Sequence, residues 1–255
     1  MPGSLVAKPN SLANGLRLAP ARQRMDSMAE YAFPPPPLIT LPAPPGKPFP
    51  VRRIFCVGQN YRDHAKEMGD NPDTDPPFFF MKPASAIVQN RTTIPYPPGS
   101  RDLQHEAELV VALQAGGRNI PVEKANDMIF GYAVGLDMTK RDVQAEFREK
   151  GRPWEMAKAF DFSAPCSAIA LKIQTGAIAK GKIECMVNGE LRQSGDLSHM
   201  IWGVPEIVAY LSQQVEIAPG DLIFTGTPSG VGPVTKGDRI EARIAGLEPL
   251  VIEIG

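Results

Sequence analysis

Cysteine is scarce: Cys56, Cys166 and Cys185 are the only three in 255 residues. An odd count at no metal-like spacing argues against a disulfide framework and against a cysteine-built zinc site. The thiols read instead as small buried apolar side chains of a reducing compartment. No apolar run approaches the ~20 residues that a membrane-spanning helix requires. Neither charge sign dominates, since 27 basic and 28 acidic side chains leave a net charge of −1. That balance argues against nucleic acid or an acidic membrane as the main partner. Strands and helices do not alternate in the βαβ manner, which removes Rossmann and TIM-barrel architectures. Neither an internal repeat nor a second domain is visible. What is present, 43% hydrophobic and 22% charged, suffices for one large β-rich α+β domain.

The chain is organised around residues 105–161. An apolar run at 105–113 is interrupted by Glu106 and Glu108. Side chains two apart on a strand share a face, so the two carboxylates are expected side by side on an otherwise buried strand. So close a pair repels and resists desolvation unless a cation lies between them or they share a proton. A second apolar run at 130–136 ends in Asp137, which completes an all-oxygen set suited to Mg²⁺ or Mn²⁺. Thr139, with Asp142 three residues on, predicts an N-cap opening a helix that runs to about Lys150 and stops at Gly151. Arg141 and Gln144 share one face of that helix. Lys158 follows and brings one more cation near the same centre.

From the N-terminus, residues 1–27 carry four basic side chains before the first acid and no apolar h-region. They read as a disordered extension with no part in catalysis. Residues 28–50 form a proline-rich arm, stiff and extended, lying over the surface of a single catalytic domain at 51–255. A strand at 53–57 leads to Asn60, which is expected to cap a short helix through about Met68. His64 and Glu67 stand at i and i+3 on it, able to touch, and offer a general base with its orienting partner. The polar loop 70–77 would let this helix open and close. A buried strand at 78–81 delivers Lys82 at its end. Asn188-Gly189 marks a type I′ hairpin, and Ile207, Val208, Tyr210 and Leu211 mark the core face of one amphipathic helix. A strand at 222–225 runs into Gly226-Thr-Pro-Ser-Gly-Val-Gly232, which lacks the Gly-Lys-Ser/Thr ending of a phosphate loop. Its backbone amides and the hydroxyls of Thr225 and Thr227 remain able to bind a carboxylate.

Several of these stretches together, His105-Glu-x-Glu-Leu-Val-Val, Gly131-Tyr-x-Val-x-x-Asp-x-Thr-x-Arg-Asp, Lys158-x-Phe-Asp and Thr225-Gly-Thr-Pro-x-Gly-Val-Gly, resemble the fumarylacetoacetate hydrolase family. The resemblance covers the chain from about Val51 onward, and the proline-rich opening is most similar to bacterial fumarylpyruvate hydrolases. It implies a mixed β-sandwich roll, usually a cytoplasmic homodimer, with Mg²⁺ (or Mn²⁺) held at the roll's mouth by Glu106, Glu108 and Asp137. It also implies that the helix with His64 and Glu67 is a lid whose dyad activates water. Lys158 and Gln144 would steady the oxyanion, and Arg141, Lys82, Thr225, Gly226 and Thr227 would bind the substrate. The implied reaction is cleavage of a carbon–carbon bond in a dicarboxylate acylpyruvate, fumarylpyruvate giving fumarate and pyruvate, as in gentisate-type aromatic catabolism. The alternative is oxaloacetate decarboxylation or another 2-oxo acid lyase or isomerase reaction on the same site. A catalytically silent relative would be expected to lack His64, Glu67 or Lys158, and all three are present.

Overall fold

A computed structural model describes residues 31–67 and 76–255. The expectations for residues 1–27 and for most of the loop at 70–77 fall outside that range. Residues 31–37 are exposed and belong to a separate unit, whereas residues 38–255 form the compact unit that carries the sheets.

Two sheets share one core. The larger runs from edge to edge as Phe78–Lys82, Arg53–Gly58, Asp221–Phe224, Ala107–Leu113, Ile129–Leu136, Ala164–Cys166 and Ile87–Gln89, with Ala170–Leu171 added beside Ile129–Leu136. It is mixed: Arg53–Gly58 lies parallel to Asp221–Phe224, whereas Ala107–Leu113 is antiparallel to both of its neighbours. The second sheet runs Glu190–Asp196, Lys182–Val187, Arg239–Ile244, Leu250–Ile254 and Thr92–Ile94. The expected hairpin joins its first two strands, with positive φ of 53° at Asn188 and 82° at Gly189.

Period-2 alternation decides what each face meets. Leu109, Val111 and Leu113 point into the core shared with Ile183, Cys185, Ile240 and Ile252. The amphipathic helix Val204–Gln214 adds Val204, Ile207, Val208 and Leu211 to that core, while Tyr210 is only half-buried and stacks on Phe79 with ring centroids 6.3 Å apart. Val110 and Ala112 point the other way, into a second cluster with Leu41, Phe49, Ile54, Cys56 and Phe224. Part of the proline-rich arm supplies that cover. Thr40–Leu41 pairs antiparallel with Phe49–Pro50, and Leu41 and Phe49 are buried. At about 1.5–3 kcal/mol for each fully buried large apolar side chain, these two residues suffice to anchor a short segment. Its prolines limit the entropy lost on ordering it. Glu108 has the parity of Val110 and Ala112, so its carboxylate continues the face that this arm covers.

Three local expectations are corrected. The run at 105–113 is two strands, not one. Leu103–His105 pairs with Thr139–Lys140 and Gly232–Val234 in a small third sheet, and Ala107–Leu113 belongs to the large one. Glu106 is the joint between them, its carbonyl accepting the Asp137 amide at 2.9 Å. Thr139 does not cap the following helix. It pairs with Gln104 and donates its hydroxyl to the Asp137 carbonyl at 3.1 Å, and the helix Arg141–Glu149 begins after Lys140. Asn60 does not cap the helix Arg62–Glu67 either. Its amide donates to the carbonyls of Thr225 (2.8 Å) and Trp202 (3.0 Å) and accepts from the Trp202 amide at 2.8 Å. For Asn60, partners brought by the tertiary fold outcompete the local cap; for Thr139, strand pairing with Gln104 holds the residue extended and leaves its hydroxyl to a carbonyl two residues back.

Candidate metal centre and catalytic cavity

Glu106, Glu108 and Asp137 converge as expected, each 5% exposed or less, with one oxygen from each lying within 4.8 Å of the others. Strand pairing explains the convergence. Ala107–Leu113 and Ile129–Leu136 run antiparallel with Ala107 opposite Leu136, so Asp137 follows at the end where Glu106 and Glu108 sit.

Cations surround the cluster. Lys158 Nζ donates to Glu106 Oε2 and to Asp137 Oδ2, both at 2.8 Å. Arg141 donates to Glu106 Oε1 at 2.5 Å, to Gln144 Oε1 at 2.5 Å and to Gln104 Oε1 at 2.9 Å. Lys82 Nζ stands 2.8 Å from Asp137 Oδ1, yet that oxygen receives no directed hydrogen bond. The Lys82 ammonium instead donates to the carbonyls of Met138, at 3.1 Å, and Lys158. The Lys82–Asp137 contact is therefore one of charge, and it leaves Asp137 Oδ1 able to take another cation. Glu108 is the least compensated member, its one hydrogen bond among the described residues coming from the Gly226 amide at 2.7 Å.

Titration follows from these contacts. Burial pushes Glu106 up, but Lys158 and Arg141 outweigh it and hold the group below the carboxylate range. Burial also pushes Glu108 up, and repulsion from Asp137 and Glu106 adds to it, so its carboxyl lies well above that range. Burial lowers Lys158, but Asp137 and Glu106 more than restore it and keep it charged. An anionic Glu108 thus requires a further cation. The donors are all hard oxygens, the set preferred by Mg²⁺ and Mn²⁺, and the cluster fits a divalent metal.

His64 meets Glu67 as the spacing implies, Nδ1 lying 3.1 Å from Glu67 Oε2, and Glu67 Oε1 accepts the Gly230 amide at 3.4 Å. His64 lines one cavity together with Glu106, Glu108, Arg141, Gln144 and Lys158, so the imidazole and two of the three acids face a common space, with Glu67 behind the ring. Gln144 is buried at its wall, and its amide nitrogen makes no hydrogen bond among the described residues. Phe80 and Trp154 form an apolar side of the same cavity, with Lys158 Nζ 5.1 Å from the Phe80 ring centroid.

The glycine-rich loop is used differently from the expectation. Thr225 and Thr227 donate their hydroxyls to the carbonyls of Leu109 (2.9 Å) and Ala107 (2.7 Å), and the Gly226 amide is taken by Glu108. The carboxylate that this loop binds is the protein's own. Gly226 has φ +95°, and a Cβ there would lie 2.7 Å from Asn60 Cβ, so only glycine fits. Thr227 and Gly226 line the cavity; Thr225 does not. Sequence reasoning missed Gln104, which holds Arg141, and Gln193, which reaches the Ala107 amide beside Glu106 from the second sheet; each side chain meets partners far away in the chain.

A family profile described as Fumarylacetoacetate (FAA) hydrolase C-terminal matches residues 53–254. The chain belongs to the fumarylacetoacetate hydrolase family. Fumarylpyruvate hydrolase of Pseudomonas aeruginosa, solved in complex with Mn²⁺ and pyruvate, superposes with a TM-score of 0.87 at 46% identity, covering 88% of this chain and 99% of that one. The fold is thus the mixed β-roll of the family. Among curated relatives, the mitochondrial oxaloacetate tautomerase FAHD1 of Homo sapiens is 43% identical over 80% of this chain and 91% of its own length. The mitochondrial oxaloacetate decarboxylase of Dictyostelium discoideum is 40% identical over 77% of this chain and 90% of its own. Fumarylacetoacetate hydrolase relatives are therefore enzymes of hydrolase, tautomerase and decarboxylase types. Among the described residues no helix is long and apolar enough to cross a membrane.

Proposed function

We propose that this protein hydrolyses the carbon–carbon bond of a dicarboxylate acylpyruvate, with fumarylpyruvate as the preferred substrate. The observation that carries this reading is His64, backed by Glu67, lining the same cavity as Glu106 and Glu108, because a water-activating dyad is what hydrolysis needs beyond a 2-oxo acid site.

Charge sets the first requirement. Three carboxylates and one divalent ion leave a charge of about −1, which would repel a dicarboxylate. Arg141, Lys158 and Lys82 reverse that sign and draw the substrate in. Glu106, Glu108 and Asp137 are the residues that would hold Mg²⁺ or Mn²⁺, which when bound supplies Lewis-acid stabilisation to the 2-oxo acid end. Glu67 accepts the Nδ1 proton of His64, which leaves Nε2 as the acceptor. His64 then removes a proton from water as the oxygen attacks the distal carbonyl. The Gln144 amide and the third N–H of Lys158, two being spent on Glu106 and Asp137, face the oxyanion that forms. As the carbonyl re-forms, the carbon–carbon bond breaks and its electron pair leaves with the pyruvate fragment as an enolate. The proton on His64 returns to that carbon, giving pyruvate and fumarate.

A panel of acylpyruvates and oxaloacetate, each with Mg²⁺ and with Mn²⁺, tests the reading through loss of enol absorbance and through the product acids. Turnover of fumarylpyruvate at least tenfold above every other member supports it. Turnover of oxaloacetate alone supports the second reading, tautomerisation or decarboxylation, which the human and Dictyostelium relatives favour. We also place the active form as a homodimer, on the family resemblance, and in the cytoplasm, on the three buried free thiols; light scattering and fractionation test these.

A further inference from the structure

Gln193 lies on the strand Glu190–Asp196 of the second sheet, outside the cavity, and is fully buried. Its Nε2 donates to Thr227 Oγ1 and to the Pro228 carbonyl, both at 2.8 Å. The Pro228 carbonyl only accepts, and the Thr227 hydroxyl already spends its hydrogen on Ala107, so the orientation of the Gln193 amide is fixed. Its Oε1 accordingly accepts from the Ala107 amide and from His105 Nδ1, each at 3.0 Å. All four hydrogen-bonding places of one amide are filled. Two of them hold the neighbours of Glu106, the Ala107 backbone amide on one side and the His105 ring on the other, and two hold the loop that begins at Gly226.

That loop has two further contacts. Its Gly226 amide binds Glu108, and its Gly230 amide reaches Glu67. A Cβ at Gly230 would lie 2.2 Å from the Arg192 carbonyl, so the loop is seated directly against the strand that bears Gln193. We propose that Gln193 is a positioning residue: acting through Ala107 and the loop 226–230, it aligns Glu106 and Glu108 for the cation and at the same time seats Glu67 behind His64. The inference rests on the reading of the three acids as a metal site.

Two substitutions in the full chain separate positioning from support of the fold. Gln193→Glu keeps an acceptor for Ala107 and loses both donors to the loop. Gln193→Met, of similar volume, loses all four bonds. Calorimetric titration with Mn²⁺ reads cation affinity, and melting in the presence of a chelator reads the fold without the cation. Both variants should bind Mn²⁺ about 10–100-fold more weakly, the usual cost of a lost outer contact to a metal ligand. Leu191→Ala, two residues away and exposed, should bind as the wild type does. A lower melting temperature with unchanged Mn²⁺ affinity would overturn the proposal, because it would make Gln193 a support of the fold alone. Should Gln193→Met fail to fold, Thr227→Val removes the loop hydroxyl while the amide stays; wild-type affinity there, or failure of all three variants to fold, overturns it equally. Absence of Mn²⁺ binding by the wild-type protein would instead remove the metal reading itself, an outcome recognisable without any variant.

Discussion

Glu106, Glu108 and Asp137 are bound into sheet backbone, whereas the His64–Glu67 pair rides on a helix, described over Arg62–Glu67, that belongs to neither sheet. The Glu106 carbonyl takes the Asp137 amide, Glu108 takes the Gly226 amide, and the flanking strands are paired on both sides. The Glu67 side chain, by contrast, is 36% exposed and, beyond His64, meets one loop amide at 3.4 Å among the described residues. On the proposed reading, one half of the site is a receptor fixed in the sheets, and the other is a reagent carried outside them. Binding and chemistry should therefore be separable by mutation.

The largest effect should come from the receptor. Glu108→Ala should lower Mn²⁺ affinity by more than the about 100-fold that an outer contact costs, and turnover should fall with it. Chelator treatment of the wild type should abolish activity, and Mg²⁺ or Mn²⁺ should restore it. Calorimetry and steady-state rates check both outcomes. His64→Ala comes next, with kcat reduced about 10²–10⁴-fold and Mn²⁺ affinity unchanged. Any oxaloacetate decarboxylation should suffer less, since it consumes no water; equal loss of both activities would recast the helix as a cover. Glu67→Ala should cost less than His64→Ala, and the double substitution scarcely more than His64→Ala alone, because groups acting as one unit are not additive. The smallest change tests the joint between the halves. Asn60→Ala removes three hydrogen bonds and should cost about 1–3 kcal/mol, read as a lower melting temperature.

What was legible in the sequence had a period or a short range. Glu106 and Glu108 could be paired because strand side chains alternate, and His64 and Glu67 because a helix turn spans three to four residues. The hairpin at Asn188-Gly189 was legible because its turn demands positive φ twice. What escaped depends on distant partners. Thr139 and Asn60 both carry side chains that cap helices well, and nothing local shows that a strand at 103–105 or a carbonyl at 225 will claim them. Gln193 gives no signal at all, since a lone Gln on a strand carries neither charge nor period. The use of Gly226 was half legible: its loop was expected to offer amides to a carboxylate, but that the Gly226 amide would meet Glu108 depends on a strand 118 residues away.

The joint at Glu106 bears on the order in which the chain folds. Its two flanking strands belong to different sheets, so the Glu106 carboxylate is aimed only once both sheets have formed. Glu108 waits for an amide 118 residues further along, and the base of the helix bearing His64 is tied to a carbonyl 165 residues away. Contacts of such separation form late, after shorter loops have closed. The cation site is thus among the last parts of the molecule to exist. A divalent ion cannot template the early chain, and a nascent chain ending before residue 226 has no complete site to offer it. On the metal reading proposed above, cation capture in refolding therefore times the completion of the roll, not its beginning.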